Sequence, residues 1–145
     1  MMNINGCFIF SADRKERTQH ENEELRLFTR RILSAMYDFG QIDDYAQGTG
    51  CYLGDEEQCF IVRTANSPET SILVLDLLAR GLNQDSAIIT NTTGEATLVS
   101  YGDDRRGCSY FTQIGTMTRI ERSERHNYDG WTECANRYYT VIKDS

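Results

Sequence analysis

Several patterns that mark common kinds of site are missing from this sequence. It has five cysteines but no CxxC pair, and its two histidines, His20 and His126, stand far apart. An odd set of cysteines without pairing motifs fits reduced thiols in a cytoplasm better than a disulfide framework. The ligand spacing of structural zinc is missing as well, so we expect no metal and no cofactor.

Long hydrophobic runs and a basic surface are missing too. No stretch reaches the roughly 18 apolar residues of a membrane helix, and the apolar run at 7–10 is too short for a signal peptide. The formal net charge is −7 and the basic residues are scattered among acids, which argues against nucleic acid as a partner. With 39% hydrophobic residues, the chain is expected to fold as a single domain over residues 1–145.

The hydrophobic pattern predicts two helices among several strands. Apolar residues recur at helical spacing over 21–38, and Ser67 followed by Pro68 suits the start of a second helix that ends at Gly81. Strands are predicted at 7–12, near 51–53, at 58–64, 86–90, 96–101 and 110–114, with a final edge strand at 137–142.

The order of these elements predicts the fold class. A βαββαβ order with an added β-hairpin and a C-terminal strand is typical of an α+β ferredoxin-like sandwich, in which two helices cover one face of an antiparallel sheet. The other face of such a sheet is bare. We therefore expect it to be buried against further copies of the chain.

Charged residues flank the strand predicted at 58–64. Glu56 and Glu57 precede it and Arg63 follows its apolar run, six residues after Glu57 and hence on the same face of the sheet. A carboxylate and a guanidinium on one face can form a structural ion pair or bind a zwitterion. The acids can equally belong to a solvated turn.

Other polar positions lie at neighbouring strand ends. Tyr52 can be a rim aromatic or a wall for a heterocycle, and Gly50 permits close approach of a ligand to the backbone. Ser11, Asp13 and Arg14 end the first strand, where side chains often serve a site, although loops are polar in any case. No Ser/His/Asp order and no Cys/His pair stands out, so these residues alone name no reaction.

Five motifs, taken together, resemble a known family. They are FSADR at 10–14 with Asn22 eight residues after its arginine, TGCY at 49–52, the acid pair followed by VR at 56–63, NQD at 83–85, and GWT at 130–132. The sequence resembles the phage-encoded S-adenosylmethionine-degrading enzymes, which are described as lyases and were formerly called hydrolases.

The resemblance implies a fold, a reaction and site residues. It implies a homotrimer of GlnB-like (PII-like) domains with active sites between subunits, in the cytoplasm of a bacterial host. It implies cleavage of S-adenosylmethionine to 5′-methylthioadenosine and homoserine lactone, with Glu57 and Tyr52 as catalytic residues. The substrate would be bound by Glu56, Arg63, Ser11, Arg14, Asn22 and Gly50. Two alternatives stay open at this point, a hydrolase that yields homoserine and a non-catalytic PII-like module that binds adenylyl ligands.

Overall fold

A computed structural model describes residues 4–101 and 110–144. These residues form eight β-strands, two α-helices and one 3-10 helix. The strands are β1 (Cys7–Ser11), β2 (Asp44–Tyr52), β3 (Asp55–Arg63), β4 (Ser86–Thr90), β5 (Glu95–Ser100), β6 (Tyr110–Ile120), β7 (Gly130–Cys134) and β8 (Arg137–Ile142). Helix α1 spans Gln19–Asp38, helix α2 spans Glu69–Gly81, and the 3-10 helix spans Arg122–Asn127.

Helix α1 begins at a capping box two residues before the predicted start. The Thr18 hydroxyl accepts a hydrogen bond from the backbone N–H of Glu21, whose carboxylate in turn accepts one from the N–H of Thr18. This reciprocal pair satisfies backbone donors that the first turn of a helix leaves unpaired. The helix buries Leu33 and Met36 against the sheet, and Gly40, with φ of +72°, follows its end.

Helix α2 confirms the predicted helix, but the prediction for its first residues is wrong. Pro68, not Ser67, is the N-cap residue, and the Ser67 hydroxyl instead donates to the carboxylate of Asp43 at 2.9 Å. A proline suits this place because its missing N–H would have no partner in the first turn. Leu75 and Ala79 are fully buried on the face that packs against the sheet.

The eight strands close into a single antiparallel barrel, and the predicted ferredoxin-like sandwich is wrong. The first six elements do follow the order βαββαβ, but the sheet continues past them. Its strand order is β1-β3-β2-β7-β8-β6-β5-β4, and β4 pairs with β1 to complete the circle. The hairpin and tail that were predicted as additions therefore supply half of a closed sheet.

Closure of the barrel overturns two further predictions, that of an edge strand and that of a bare sheet face. Strand β8 pairs with β6 on one side and β7 on the other, so the predicted edge strand at 137–142 is not an edge. The sheet face that was expected to be bare is the inner wall of the barrel, so it is buried within the chain. An oligomer can no longer be argued from an uncovered sheet, because a closed barrel has neither a free edge nor a free inner face.

Two hydrophobic cores lie on opposite faces of the same strands. Alternate side chains of β1 and β3, including Phe8, Phe10 and Phe60, pack under the helices. Their neighbours point into the barrel, where Ile9 and Ile61 are almost fully buried. Each buried side chain of this size contributes about 1.5–3 kcal/mol relative to exposure. Because these strands are covered on both faces, residues 7–10 and 59–62 form continuous apolar runs in the sequence.

No helix in residues 4–101 and 110–144 is long and apolar enough to cross a lipid bilayer. For the site, the main consequence of the fold is that the C-terminal end of β1 lies beside the N-terminal half of the antiparallel strand β3. Ser11 lies opposite Cys59, which brings the polar residues after β1 next to those before the apolar half of β3.

Candidate active site

The N-terminal end of β3 borders a polar depression. Its lining comes from the loop between β1 and α1, from α1, and from the first residues of β3, and comprises Asp13, Arg14, Lys15, Asn22, Asp55, Glu56 and Glu57. Its volume is about 130 Å³. Four of the predicted site residues, Arg14, Asn22, Glu56 and Glu57, therefore lie together.

Asn22 shapes the depression through the backbone of Arg14. Its carboxamide oxygen accepts a hydrogen bond from the Arg14 N–H at 3.0 Å, and its amide group donates to the Arg14 carbonyl at 3.0 Å. The loop after β1 is thus fastened to the first turns of α1. The FSADR motif is therefore in direct contact with Asn22, eight residues after its arginine.

The guanidinium of Arg14 joins this loop to the segment after α2. It forms an ion pair with Glu16 at 3.1 Å, lies 3.5 Å from a carboxylate oxygen of Asp85, and donates to the carbonyl of Asn83. Gln84 donates to the Asp13 carbonyl at 3.1 Å from the same segment. The NQD motif at 83–85 therefore supports the loop.

Ser11 and Asp13 hold the strand next to Glu57. The Ser11 hydroxyl donates to the carbonyl of Gln58 at 2.7 Å and accepts from the N–H of Asp13 at 2.9 Å. The Asp13 carboxylate accepts from the Gln58 N–H at 3.2 Å and from Arg26 at 2.8 Å. Both backbone groups of Gln58 are thus fixed by side chains from another segment.

Glu57 is the carboxylate whose surroundings change its ionisation. Its side chain reaches solvent, yet desolvation by the surrounding chain raises its pKa above that of an ordinary glutamate, and the nearby charges of Asp13 and Asp85 raise it further. The Ser11 hydroxyl and the Arg14 guanidinium act in the opposite direction. A cation that entered the depression would favour the ionised form of Glu57.

Gly50 in the TGCY motif and the nearby Gly48 are glycines for different structural reasons. A Cβ on Gly48 would lie 2.1 Å from the backbone oxygen of Glu133, so close pairing in the barrel demands glycine there. Gly50 lies opposite Glu57, and a Cβ on it would meet only ordinary contacts at 3.9 Å or more. Gly50 therefore leaves space beside the carboxylate.

Tyr52 stands at the rim of the same barrel end. It lies two residues after Gly50 on the same face of β2 and its side chain is 66% exposed, as is that of Leu53. The GWT motif pairs directly with this segment, Gly130 with Tyr52 and Trp131 with Cys51. Two of the motifs that resembled the family therefore lie side by side in the fold.

Arg63 lies away from the depression. It is at the other end of β3, opposite Cys7 of β1 and Asp44 of β2. Six residues of extended strand separate it from Glu57 by about 20 Å. Within one chain the two charged groups do share a face of the sheet, but they do not meet.

Asp13 was noted in the sequence only as one of the polar residues that end the first strand, and it was not among the predicted substrate-binding residues. Its signal was weak, a single acid directly after an apolar strand. Its importance depends on contacts with residues 26 and 58, which only the fold brings near it.

The described cysteines are poor candidates for a nucleophile. Cys7, Cys51, Cys59 and Cys134 are free thiols, and Cys108 lies outside the described residues. Burial raises the pKa of Cys7 to about 12 and raises the pKa values of Cys59 and Cys134 as well. A thiol reacts as its thiolate, which burial disfavours. Within residues 4–101 and 110–144, no group of His, Cys, Asp and Glu side chains is arranged to hold a metal ion.

Comparison with known proteins gives the family. No curated protein matches the sequence. The sequence profile of the S-Adenosylmethionine lyase family matches residues 8–142, from the first residues of β1 to the end of β8. The matched range includes every motif discussed above and every residue of the depression. The chain therefore belongs to the S-adenosylmethionine lyase family, and it is an enzyme that cleaves S-adenosylmethionine.

Proposed function

We propose that the substrate's own carboxylate attacks its γ-carbon while the substrate is held in the depression at Glu57. A new C–O bond forms as the bond between the γ-carbon and sulfur breaks, and the electron pair of that bond goes to sulfur. The products are 5′-methylthioadenosine and homoserine lactone. No proton moves, and the scheme needs neither a protein nucleophile nor a cofactor.

The charges of the substrate suggest how Glu57 contributes. The reaction destroys one negative and one positive charge, so a carboxylate beside the sulfonium would stabilise the substrate more than the transition state and slow the reaction. A carboxylate beside the ammonium group would anchor the amino-acid tail and leave the substrate carboxylate free to reach the γ-carbon. Glu57 is therefore proposed to bind the ammonium.

The remaining site residues are proposed to fold the tail into a reactive shape. Arg14, whose backbone is fixed by Asn22, can orient the substrate carboxylate from the edge of the depression, and Tyr52 can shield the adenosyl part from water. Gly50 leaves room opposite Glu57. Glu56 adds negative charge at the mouth. Holding reacting groups in the correct orientation can lower a barrier by about 7–11 kcal/mol.

The grouping of Glu57 and Arg14 in the lining of one depression carries this proposal. It supplies a carboxylate for a cation and a guanidinium for an anion around a small space. The family assignment favours this reading over a PII-like ligand-binding module, because the family is one of enzymes.

We propose further that the enzyme is a homotrimer with its active sites between subunits. The depression of one chain, at about 130 Å³, is smaller than the roughly 300–1,000 Å³ of ordinary small-molecule sites. Tyr52, which pairs with the lining residue Asp55, and Leu53 are both largely exposed, so a neighbouring subunit could cover them. Such a neighbour is also the route by which Arg63 could reach a substrate. Light scattering of the purified protein tests the trimer directly.

A biological role follows from the proposed reaction. In the cytoplasm of a bacterial host, destruction of S-adenosylmethionine would remove the cofactor of restriction systems that depend on it. An infecting phage would benefit from this loss. Expression of the wild-type chain, but not of its Glu57→Gln variant, should then raise the survival of an incoming phage in a host that carries such a system. Equal survival with both chains would contradict this role.

A hydrolase is the second candidate, because a glutamate with a raised pKa is also suited to act as a general base. The two reactions differ in the source of oxygen. We expect the protein, incubated with S-adenosylmethionine in heavy-oxygen water and quenched early, to yield homoserine lactone without the label. Labelled homoserine from the first turnover would show that water is the nucleophile.

A further inference from the structure

Asp13 is the most firmly held carboxylate around the depression. One oxygen accepts from Arg26 of α1 at 2.8 Å and the other accepts from the Gln58 N–H of β3 at 3.2 Å. Its own N–H and carbonyl are bound by Ser11 and Gln84. One residue thus connects the end of β1, helix α1, strand β3 and the segment after α2.

The contact with Gln58 acts on Glu57, the residue directly before it. The Ser11 hydroxyl holds the carbonyl of Gln58 at 2.7 Å while Asp13 holds its N–H. The backbone on which Glu57 is mounted therefore has little freedom to move. Because Asp13 also lies close to the Glu57 carboxylate, it adds negative charge to the same side of the depression.

We propose that Asp13 is a positioning residue, which holds the Glu57 end of β3 in place and draws the cationic substrate into the depression. This inference rests on the proposed function, since it gives Asp13 a part in the binding of S-adenosylmethionine. Asp13 acts through Glu57 and Gln58 and need not touch the substrate.

The charged groups around Glu57 decide whether loss of the Asp13 charge raises or lowers the pKa of Glu57. Desolvation raises its pKa, Asp13 and Asp85 raise it further, and Arg14 lowers it. The pKa of the Lys15 ammonium group is raised mainly by Asp55, with a smaller contribution from Glu57. The first residues of β3 add Asp55 and Glu56 to the lining. Removal of the Asp13 charge should therefore lower the pKa of Glu57.

Asp13→Asn tests the inference with two measurements, the KM for S-adenosylmethionine and the titration of Glu57. In a carboxamide an NH2 group, which donates, replaces one of the two oxygens that accept from Arg26 and Gln58, and the side chain carries no charge. We expect KM for S-adenosylmethionine to rise about tenfold, the equivalent of about 1.4 kcal/mol of binding free energy, with kcat changed much less. We also expect the Glu57 carboxyl group, followed by carbon NMR in the unliganded protein, to titrate at lower pH than in the wild type.

A matched control separates this effect from the loss of any negative charge. Asp38→Asn makes the same charge change at the exposed end of α1, sixteen residues beyond Asn22 and so about 24 Å from the depression. It should leave both KM and the Glu57 titration as in the wild type. If Asp13→Asn behaves like Asp38→Asn in both measurements, the inference is overturned.

Asp13→Glu provides the second variant should Asp13→Asn fail to fold. It keeps the negative charge but moves the carboxylate by one methylene group. We expect KM to rise while the titration of Glu57 stays near that of the wild type, and an unchanged KM would overturn the positioning role. If the wild-type protein leaves S-adenosylmethionine intact, the proposed function fails, yet the titration still shows whether Asp13 acts on Glu57.

Discussion

The two ends of strand β3 are both charged, but they differ in what surrounds the charge. At the Arg63 end, backbone and side-chain groups bind one another. Asp43 donates its N–H to the Arg63 carbonyl, and its carboxylate accepts from Asn66 and Ser67. At the Glu57 end, several acids line a depression, and neighbouring carboxylates raise the pKa of Glu57.

The difference shows how to tell a structural charge from a functional one. The carboxylate of a structural residue such as Asp43 forms hydrogen bonds with the loop around it, and these bonds stabilise the fold. Glu57 lies where desolvation and like charge disfavour its ionised form, a cost to stability that a bound cation would remove. The end that destabilises the free protein is therefore the better candidate for the site.

The largest effect is expected from the charge of Glu57. Glu57→Gln keeps the shape of the side chain but removes its interaction with the substrate ammonium, so kcat/KM should fall about 100-fold, as expected for one charge-assisted hydrogen bond in a partly enclosed site. Steady-state kinetics of both proteins measures this. Turnover within threefold of the wild type would show that the two ends of β3 are not functionally different.

Gly48 and Gly50 offer a matched pair within one strand. Gly48→Ala drives a methyl group into the backbone oxygen of Glu133 and should lower the free energy of unfolding by about 3 kcal/mol or more, the upper range for overpacking. Gly50→Ala should leave unfolding nearly unchanged but raise KM severalfold, because its methyl group faces Glu57. Denaturant melts and steady-state kinetics of the two variants test this pair. An equal loss of stability in both would contradict the different roles of Gly48 and Gly50.

A smaller effect is expected at Tyr52. If its exposed ring shields the adenosyl part, Tyr52→Ala should raise KM by about tenfold, the upper end for one aromatic contact, whereas Tyr52→Phe should have little effect. Substrate titrations of the two variants separate the ring from its hydroxyl group. A large loss in Tyr52→Phe would instead assign a role to the hydroxyl.

At the opposite end of β3, Arg63→Met should change kcat/KM by no more than about twofold, the effect usual for a residue remote from the chemistry. Its partly exposed side chain lies near Cys7, Asp43 and Asp44. A loss as large as that in Glu57→Gln would mean that Arg63 reaches the active site of a neighbouring subunit. Kinetics of the two variants, assayed together, decides between these outcomes.

The smallest predicted effect concerns stability and pH. The pKa of Glu57 is higher in the folded chain than in the unfolded chain, so folding favours its protonated form. This contribution is fully present below the unfolded pKa and is lost as pH rises through the folded pKa. Glu57→Gln should therefore raise Tm at neutral pH but not at pH values below the unfolded pKa. Thermal melts across this range measure the difference.

The strand and helix positions could be predicted where the pattern is local. Helix α2 and the strand that contains Phe60 were found because their apolar spacing is complete within each segment. Barrel closure could not be found in this way. It depends on pairs such as Phe8 with Ile89 and Tyr52 with Gly130, and a period-two pattern does not say which strand will be the partner.

The site was predicted in part, for a similar reason. The motifs identified Glu57, Ser11, Arg14 and Asn22, which the fold brings together. The face shared by Glu57 and Arg63 was inferred from their even spacing, but that rule gives direction and not distance. Of the two side-chain hydrogen bonds that fix the backbone of Gln58, the residue after Glu57, one comes from Asp13. Nothing in the local sequence indicated the partners of Asp13.

The central claim is that the amino-acid tail of S-adenosylmethionine binds at the Glu57 end of β3. S-Adenosylhomocysteine keeps this tail but has no sulfonium, so it is suited to a crystal structure of the wild-type complex. We expect its ammonium group within hydrogen-bonding distance of the Glu57 carboxylate, with the adenine shielded near Tyr52. An ammonium group bound instead by Asp43 or Asp44, at the Arg63 end, would contradict the account.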